Sequence, residues 1–305
     1  MDYKKLIKSQ DLRLKILRAF DFIPDKEMIK IQYRIKLRRK LNLEHPKRYT
    51  EKLQWYKLYY RDPLMVKCAD KYQVREYVKS MGLGDILNDL YNVYDNEYEI
   101  DFKKLPEQFV LKTTNGGGGN NIIICKDKSA FDEQKCREQL RRWLMPKKKS
   151  SGREWVYENI KPRIIAEKLL PRDKNNDLPD YKFFCFDGKA FCLYVMIDYT
   201  DNHENGKLGF YDTNFNKLPY RRLDFKPIVQ KLEKPKNFSR MVEIAEILSK
   251  PFPHVRVDLY NIEGQIVFGE LTFFNASGYT QFEPDEFDFI LGEKFNLPHR
   301  DLILL

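Results

Sequence analysis

Apolar residues recur three and four positions apart through most of the first eighty positions, then gather into short runs bounded by turn residues. The stretch from Asp11 to Phe22, DLRLKILRAFDF, sets Leu12, Ile16 and Ala19 or Phe20 on one helical face. Met28 to Leu41 predicts a second helix, heavy in Lys and Arg, which His45-Pro46 breaks. Thr50 opens a third, TEKLQWYKLYYRD, closed by Pro63. A fourth spans about Pro63 to Met81 and stops at Gly82.

The pattern then changes. Phe109 to Lys112 is a short apolar run ending in a lysine, Asn115 to Asn121 reads NGGGGNN, and Ile122 to Cys125 is a second run. Together they predict strand, glycine turn, strand. A basic helix follows at about Ser129 to Leu144, then the polar stretch Met145 to Arg153. Further strands are predicted at Arg163 to Leu170, Tyr181 to Phe186 and Ala190 to Ile197. After a helix at about Ser239 to Ser249, strands over Val255 to Tyr260 and Gln265 to Leu271 share the turn Asn261 to Gly264. Strands in antiparallel-looking pairs, with few helices between them and no repeat, predict an α+β fold rather than a doubly wound sheet.

Charge adds one feature. The formal net charge is +10, from 55 basic and 45 acidic residues. Met1 to Arg48 holds 15 Lys or Arg against 6 Asp or Glu, so the rest is almost neutral. Such a region fits nucleic acid, an anionic membrane surface or an acidic polymer, or is a solvated helix face. No zinc-finger spacing or RNP-type aromatic signature supports nucleic acid. The odd set Cys68, Cys125, Cys136, Cys185 and Cys192 has no CxxC pairing and no His at metal spacing. Buried reduced thiols and a cytoplasmic location are expected. MDYKKLIKSQ lacks an apolar core of signal-peptide length, and no window is apolar enough to span a bilayer.

Four elements carry candidate chemistry. Ala69-Asp70-Lys71 lies on the fourth predicted helix. Lys112 leads into Gly116, Gly117, Gly118 and Gly119, where an ammonium and side-chain-free backbone N–H groups suit a triphosphate. No Gly-Lys-Ser/Thr follows, so this is not a P-loop, and a plain hairpin turn is the alternative. Ile164 to Leu170, IIAEKLL, carries adjacent Glu167 and Lys168 in an apolar run, so one charge should face a ligand unless this is an edge strand. Asp180-Tyr181-Lys182 heads another strand. Finally, alternation puts Arg256 and Asp258 on one face, and the hairpin brings Glu270 beside Asp258. Two facing carboxylates repel unless a cation joins them, and hard oxygen ligands point to Mg²⁺.

This ordered series resembles the ATP-grasp superfamily. YTEKLQWYKLYYRDPL, ADKYQVREYV, LPEQFVLKTTNGGGGNNIII, IIAEKLL, DYKFFCFDGKAF and RVDLYNIEGQIVFGELTF are similar to the TupA-like ATP-grasp family, over about Tyr49 to Gly278. That family is associated with teichuronopeptide, capsule and other surface-polysaccharide gene sets. The resemblance implies an ATP-grasp domain over 106–305, with subdomains of about 106–163 and 164–305, after a preceding segment over 61–105 and the helical basic region that periodicity and charge predict over residues 1–60. It implies that Lys71 and Lys112 bind phosphates and that Gly116 to Gly119 close over the triphosphate. Glu167 would meet the adenine amino group, backbone near Lys168 and Leu170 the ring edge, Asp180 the ribose and Lys182 a phosphate. Asp258 and Glu270 would hold magnesium, and Arg256 would stabilise an acyl-phosphate and the tetrahedral intermediate. Where many relatives carry Glu-x-Asn, this chain has Glu270-Leu271-Thr272, with Asn275 beyond. Thr272 or a water replaces the amide, or the strand bends to present Asn275.

The implied activity is ATP- and Mg²⁺-dependent ligation of a carboxylate, such as a saccharide uronic acid, to an amine or amino acid. A saccharide-hydroxyl kinase and a nucleotide-binding protein of glycosyl transfer are the alternatives. The basic amino-terminal region is expected to dock on an anionic membrane surface or a lipid-linked saccharide, making the enzyme peripheral to the inner face of the membrane.

Overall fold

The computed structural model describes residues 19–116, 121–145, 149–158, 160–200 and 205–298. Most of the Asp11–Phe22 segment, Gly117 to Gly119 and residues 146–148 lie outside this set.

Two helices open the described chain, α1 (Asp25–Leu37) and α2 (Tyr49–Tyr59). Next come two short helices, α3 (Pro63–Ala69) and α4 (Val74–Ser80), in place of the single helix the apolar spacing predicts. Asp70 makes the break. Its Oδ1 accepts from the backbone N–H groups of Tyr72 and Gln73, both at 2.8 Å. A side-chain acceptor that captures N–H groups in this way competes with helix continuation.

The first sheet has the order β1–β4–β2–β3, all antiparallel: β1 (Leu90–Tyr94), β2 (Phe109–Thr113), β3 (Ile122–Cys125) and β4 (Ile164–Glu167). Its core joins Phe102, Phe109, Leu111 and Ile164 to Leu140 of α5 (Glu133–Leu144). The subdomain boundary expected at 163/164 therefore falls inside this sheet. β4 hydrogen-bonds between β1 and β2, and β1 comes from the segment set apart as 61–105. The apolar pattern does not single out β1, whose sequence LYNVY mixes polar and aromatic positions.

The second sheet has the order β11–β10–β5–β6–β7–β9. Its strands are β5 (Asp180–Phe186), β6 (Lys189–Ile197), β7 (Lys207–Asp212), β9 (Lys226–Pro227), β10 (His254–Ile262) and β11 (Gln265–Thr272). Among the described residues only the short β7–β9 pair is parallel. A ribbon of β8 (Arg221–Arg222) and β12 (Phe282–Glu283) lies apart. One face is covered by α6 (Phe238–Ser249), whose Phe238, Met241, Ile244, Ala245 and Leu248 are buried. The helix α7 (Glu286–Lys294) packs on α2, where Asp288 accepts from the Thr50 N–H at 2.9 Å and its hydroxyl at 2.8 Å. All five cysteines are buried free thiols, and burial pushes Cys68, Cys136 and Cys185 up to about 12.

His254 opens β10 in the core, with Nδ1 2.8 Å from the Cys185 carbonyl oxygen and Nε2 2.9 Å from the Tyr49 hydroxyl. The neutral ring donates through Nδ1 and accepts through Nε2. Burial, helped by Arg256, pushes its pKa down to about 3 from 6.5. The unfolded chain therefore binds the proton first, and stability falls as pH drops from about 6.5 towards 3. This one group contributes up to ~1.4 kcal/mol per pH unit over that window. The His254→Gln variant should flatten this part of the profile in urea unfolding at stepped pH; an unchanged slope would refute the assignment.

Candidate active site

Register builds the site. In the second sheet β5 pairs Lys182 with Tyr194 on one side and Asp258 on the other, and Asp258 pairs with Glu270. The result is one row across four strands: Tyr194, Lys182, Asp258, Glu270. Two-residue alternation puts flanking positions on the same face. Arg256 and Thr272 stand beside the row at one end, Asp180 and Tyr260 at the other.

Charge is concentrated on this face. Arg256 Nε and Nη2 fork onto Asp258 at 2.7 and 2.6 Å. Its Nη2 also donates to Glu270 Oε1 at 3.2 Å and Thr272 Oγ1 at 2.9 Å. Its Nη1 reaches Asn275 Oδ1 at 2.6 Å and the Tyr194 hydroxyl at 3.0 Å. Lys182 Nζ lies 2.5 Å from Asp258 Oδ2 and also bridges Asp180. Burial would lower the Lys182 ammonium, but Asp180 and Asp258 hold it well above its usual value. Burial pushes the Asp180 carboxyl upward, against the pull of Lys182. Burial would likewise raise Glu270, yet Lys71, Lys182, Arg256 and Thr272 hold it at about 2.

The helix break delivers the first half's contribution. Lys71 donates its backbone N–H to the Thr114 carbonyl at 3.1 Å, and its Nζ bonds the Gly116 carbonyl. The same ammonium stands 3.5 Å from Glu270 Oε2. One lysine thus links the start of the glycine turn to the carboxylate row. Lys112, on β2, lies 2.9 Å from Glu167 Oε2. Glu167 is also 3.4 Å from Arg75 Nη1, a partner that sequence reading passes over. Lys168 is exposed: its N–H donates to the Asp89 carbonyl at 3.0 Å and its carbonyl accepts from Asn88 at 2.8 Å. Leu170 is half-buried beyond the end of β4. Asp180 Oδ1 is buried without a hydrogen-bond partner among the described residues. Tyr194, also missed, leaves a trace in sequence as a hydroxyl within the apolar run FCLYVMI.

Asp258 and Glu270 face each other across the ladder, hard oxygen donors of the kind Mg²⁺ takes when phosphate and water supply the remainder. Lys71, at 3.5 Å, is the only close cation on Glu270 Oε2 among the described residues, so this oxygen is the more available. Asn275 Oδ1 is already committed to Arg256, and the Thr272 hydroxyl donates to Glu270 Oε1 at 2.9 Å. Glu270 Oε2 fits the ion, whereas Asp258, whose two oxygens hold Arg256 and Lys182, would join it by exchanging one of those cations for the metal. Among the described residues no group of three or more His, Cys, Asp or Glu side chains is placed to hold a metal by itself.

A bulge at Gly269 makes the carboxylate pairing possible, because the register shifts between Asp258 and Leu259. A Cβ there would stand 2.9 Å from the Asp258 carbonyl oxygen and 3.3 Å from its carbon. The Gly269→Ala variant must push the two strands apart, at a cost of about 1–3 kcal/mol. We expect at least tenfold weaker magnesium-dependent nucleotide binding by calorimetry; wild-type affinity would show that the bulge does not set the site.

Residues 51–296 match the TupA-like ATPgrasp family. No curated protein matches the chain. Among solved structures, it is similar to a D-alanine–D-alanine ligase from Bacillus anthracis: 18% identity, TM-score 0.38, 68% of this chain and 57% of that one. The corresponding enzyme from Helicobacter pylori gives 15%, 0.43, 82% and 69%. An L-amino acid ligase from Bacillus licheniformis gives 13%, 0.44, 83% and 57%. The chain thus spans little more than half the length of the first and third. At these identities and scores the likenesses carry no argument about activity.

Proposed function

The chain belongs to the TupA-like ATPgrasp family, and on that footing we propose that it is an ATP- and magnesium-dependent carboxylate–amine ligase. The supporting observation is the convergence of Lys71 with the Tyr194–Lys182–Asp258–Glu270 row, which gathers cations and carboxylates at one place. Such a surface suits a polyanion whose charge is redistributed during reaction.

In this reading an oxygen of the substrate carboxylate attacks the γ-phosphorus of ATP, and ADP leaves. Lys71, Lys112 and Lys182 spread the charge on the phosphate oxygens. An amine then attacks the acyl carbon, loses a proton, and expels inorganic phosphate. The Arg256 guanidinium, held in place by Asp258 and Asn275, faces the oxyanion of the tetrahedral intermediate. Asp258 and Glu270 would hold magnesium, which supplies neutralisation of phosphate oxygens when bound. Glu167, positioned by Lys112 and Arg75, serves the adenine amino group. The proposed carboxylate is a uronic acid or similar acid of a surface polysaccharide or its precursor, and the amine an amino acid.

The test is phosphate release from ATP with mixed uronic acids and amino acids. Release that requires both partners supports the ligase. A stable phosphorylated sugar formed without an amine, and without free phosphate, would replace it by a kinase.

A further inference from the structure

Among the described residues no helix is long and apolar enough to cross a membrane. One stretch of surface nevertheless combines bare apolar side chains with excess positive charge. The helix α1 buries Met28, Ile29, Gln32, Tyr33 and Leu37. Its opposite face shows Ile31 and Ile35, 45% and 56% exposed and one turn apart. Just before it stand Phe22, 80% exposed, and Phe20, 42% exposed, with ring centroids 6.4 Å apart. These are four of the eleven large hydrophobic side chains exposed among the described residues.

Charge in this stretch is one-sided. Residues 20–40 hold seven basic and three acidic side chains. All three acids are engaged. Asp21 and Asp25 meet Arg153 at 3.9 and 3.2 Å, Asp25 also meets Lys149 at 2.6 Å, and Glu27 meets Lys30 at 2.9 Å. Lys26, Arg34, Arg38 and Lys40 have no acidic partner among the described residues. The inner side of α1 leads towards the active site: Gln32 donates to the Ser151 carbonyl at 2.9 Å and accepts from the Tyr279 hydroxyl at 2.8 Å. Tyr279 closes the loop that begins at Asn275.

We propose that Phe20, Phe22, Ile31 and Ile35, with Arg34 and Arg38, form a docking surface for an anionic lipid bilayer. The apolar side chains enter the boundary between headgroups and acyl chains, and the cations lie among the lipid phosphates. Charge complementarity selects this occupant: apolar side chains alone would suit any greasy partner, but four cations without acids suit a surface that is anionic throughout. The surface places the loop from Asn275 to Tyr279 on the membrane-proximal side of the enzyme. The inference does not depend on the ligase reading.

The test is sedimentation of the full chain with vesicles of phosphatidylcholine, alone or mixed with phosphatidylglycerol. Binding is expected only to the mixed vesicles, weakening as salt is raised. Arg34→Ala and Arg38→Ala should each weaken it about fivefold. The double variant Phe22→Asp, Ile35→Asp should abolish it, whereas Val229→Asp, at a site 82% exposed elsewhere, should leave it unchanged. Equal binding to both vesicle types, no binding, or full binding by the Phe22/Ile35 variant would overturn the proposal. So would a wild-type dimer in light scattering that this variant converts to monomer without any vesicle binding, since a second copy would then be the occupant.

Discussion

The Glu270→Ala variant is expected to lose magnesium-dependent turnover by about 10²–10³-fold or more, as when a preorganised charge stabiliser is removed. Glu270 is the member of the row with the freest oxygen, and it is reached by both Lys71 and Arg256. Its side chain is 30% exposed, and Arg256 keeps its fork on Asp258 without it, so folding should be little affected. The sign of the pH effect follows. A carboxyl held at about 2 in the folded chain contributes stability above the unfolded value near 4.5, and that contribution is lost as pH falls towards 2. The variant lacks this acid dependence. Two measurements decide: calorimetric nucleotide binding against magnesium concentration, and thermal melting at neutral pH. An active Glu270→Ala enzyme would move the metal to Asp258 with Asn275. Lys112→Ala should match it in lost turnover without unfolding, because Arg75 remains on Glu167.

Loss of the Arg256 guanidinium should do the greatest damage to stability. Arg256 is buried and donates to Asp258, Glu270, Thr272, Asn275 and Tyr194. In Arg256→Met the buried Asp258, Asn275 and Tyr194 lose a partner where water does not reach, and breaking a buried ion pair of this kind costs about 3–5 kcal/mol. Asp258 keeps only Lys182 among the cations that touch it in the described residues. For a chain of this size that corresponds to a fall in Tm of roughly 5–8 °C. Arg256→Lys keeps charge but not the two-pronged geometry, so it should recover part of the stability and almost none of the turnover. The double variant Arg256→Met, Asp258→Leu separates the two roles. If the cost is an orphaned charge, the pair is more stable than Arg256→Met alone and equally inactive. A single variant as stable as the wild type would show that the network does not hold the sheet together.

Much of this site is legible in local sequence. The two-residue period of a strand is set by backbone geometry, so Arg256 and Asp258 had to share a face wherever the strand lay. The short turn at Asn261–Gly264 then set the two strands antiparallel and brought Glu270 near Asp258, but it was the bulge at Gly269, which the alternation does not show, that put the two carboxylates directly opposite. The antiparallel pairing of the strands followed from turn residues between apolar runs in the same way. Segment pairs far apart in the chain were not legible. Lys182 and Tyr194 enter the row because β5 lies beside β10, 76 positions from Lys182 to Asp258, and nothing in DYKFFCF names that neighbour. β4 joins the first sheet although its sequence falls after the boundary drawn from the motifs. Lys71 reaches Glu270 because the Asp70 carboxylate stops a helix that apolar spacing alone would continue. The amino-terminal charge was plain in composition, yet which isoleucines face outward depended on where α2 and the Tyr279 loop packed. Periodicity and turn chemistry act over a few covalently joined residues, so the sequence by itself determines them. Strand order, helix breaks and the partners of buried charges depend on desolvation and packing between distant segments, which only the assembled tertiary structure decides.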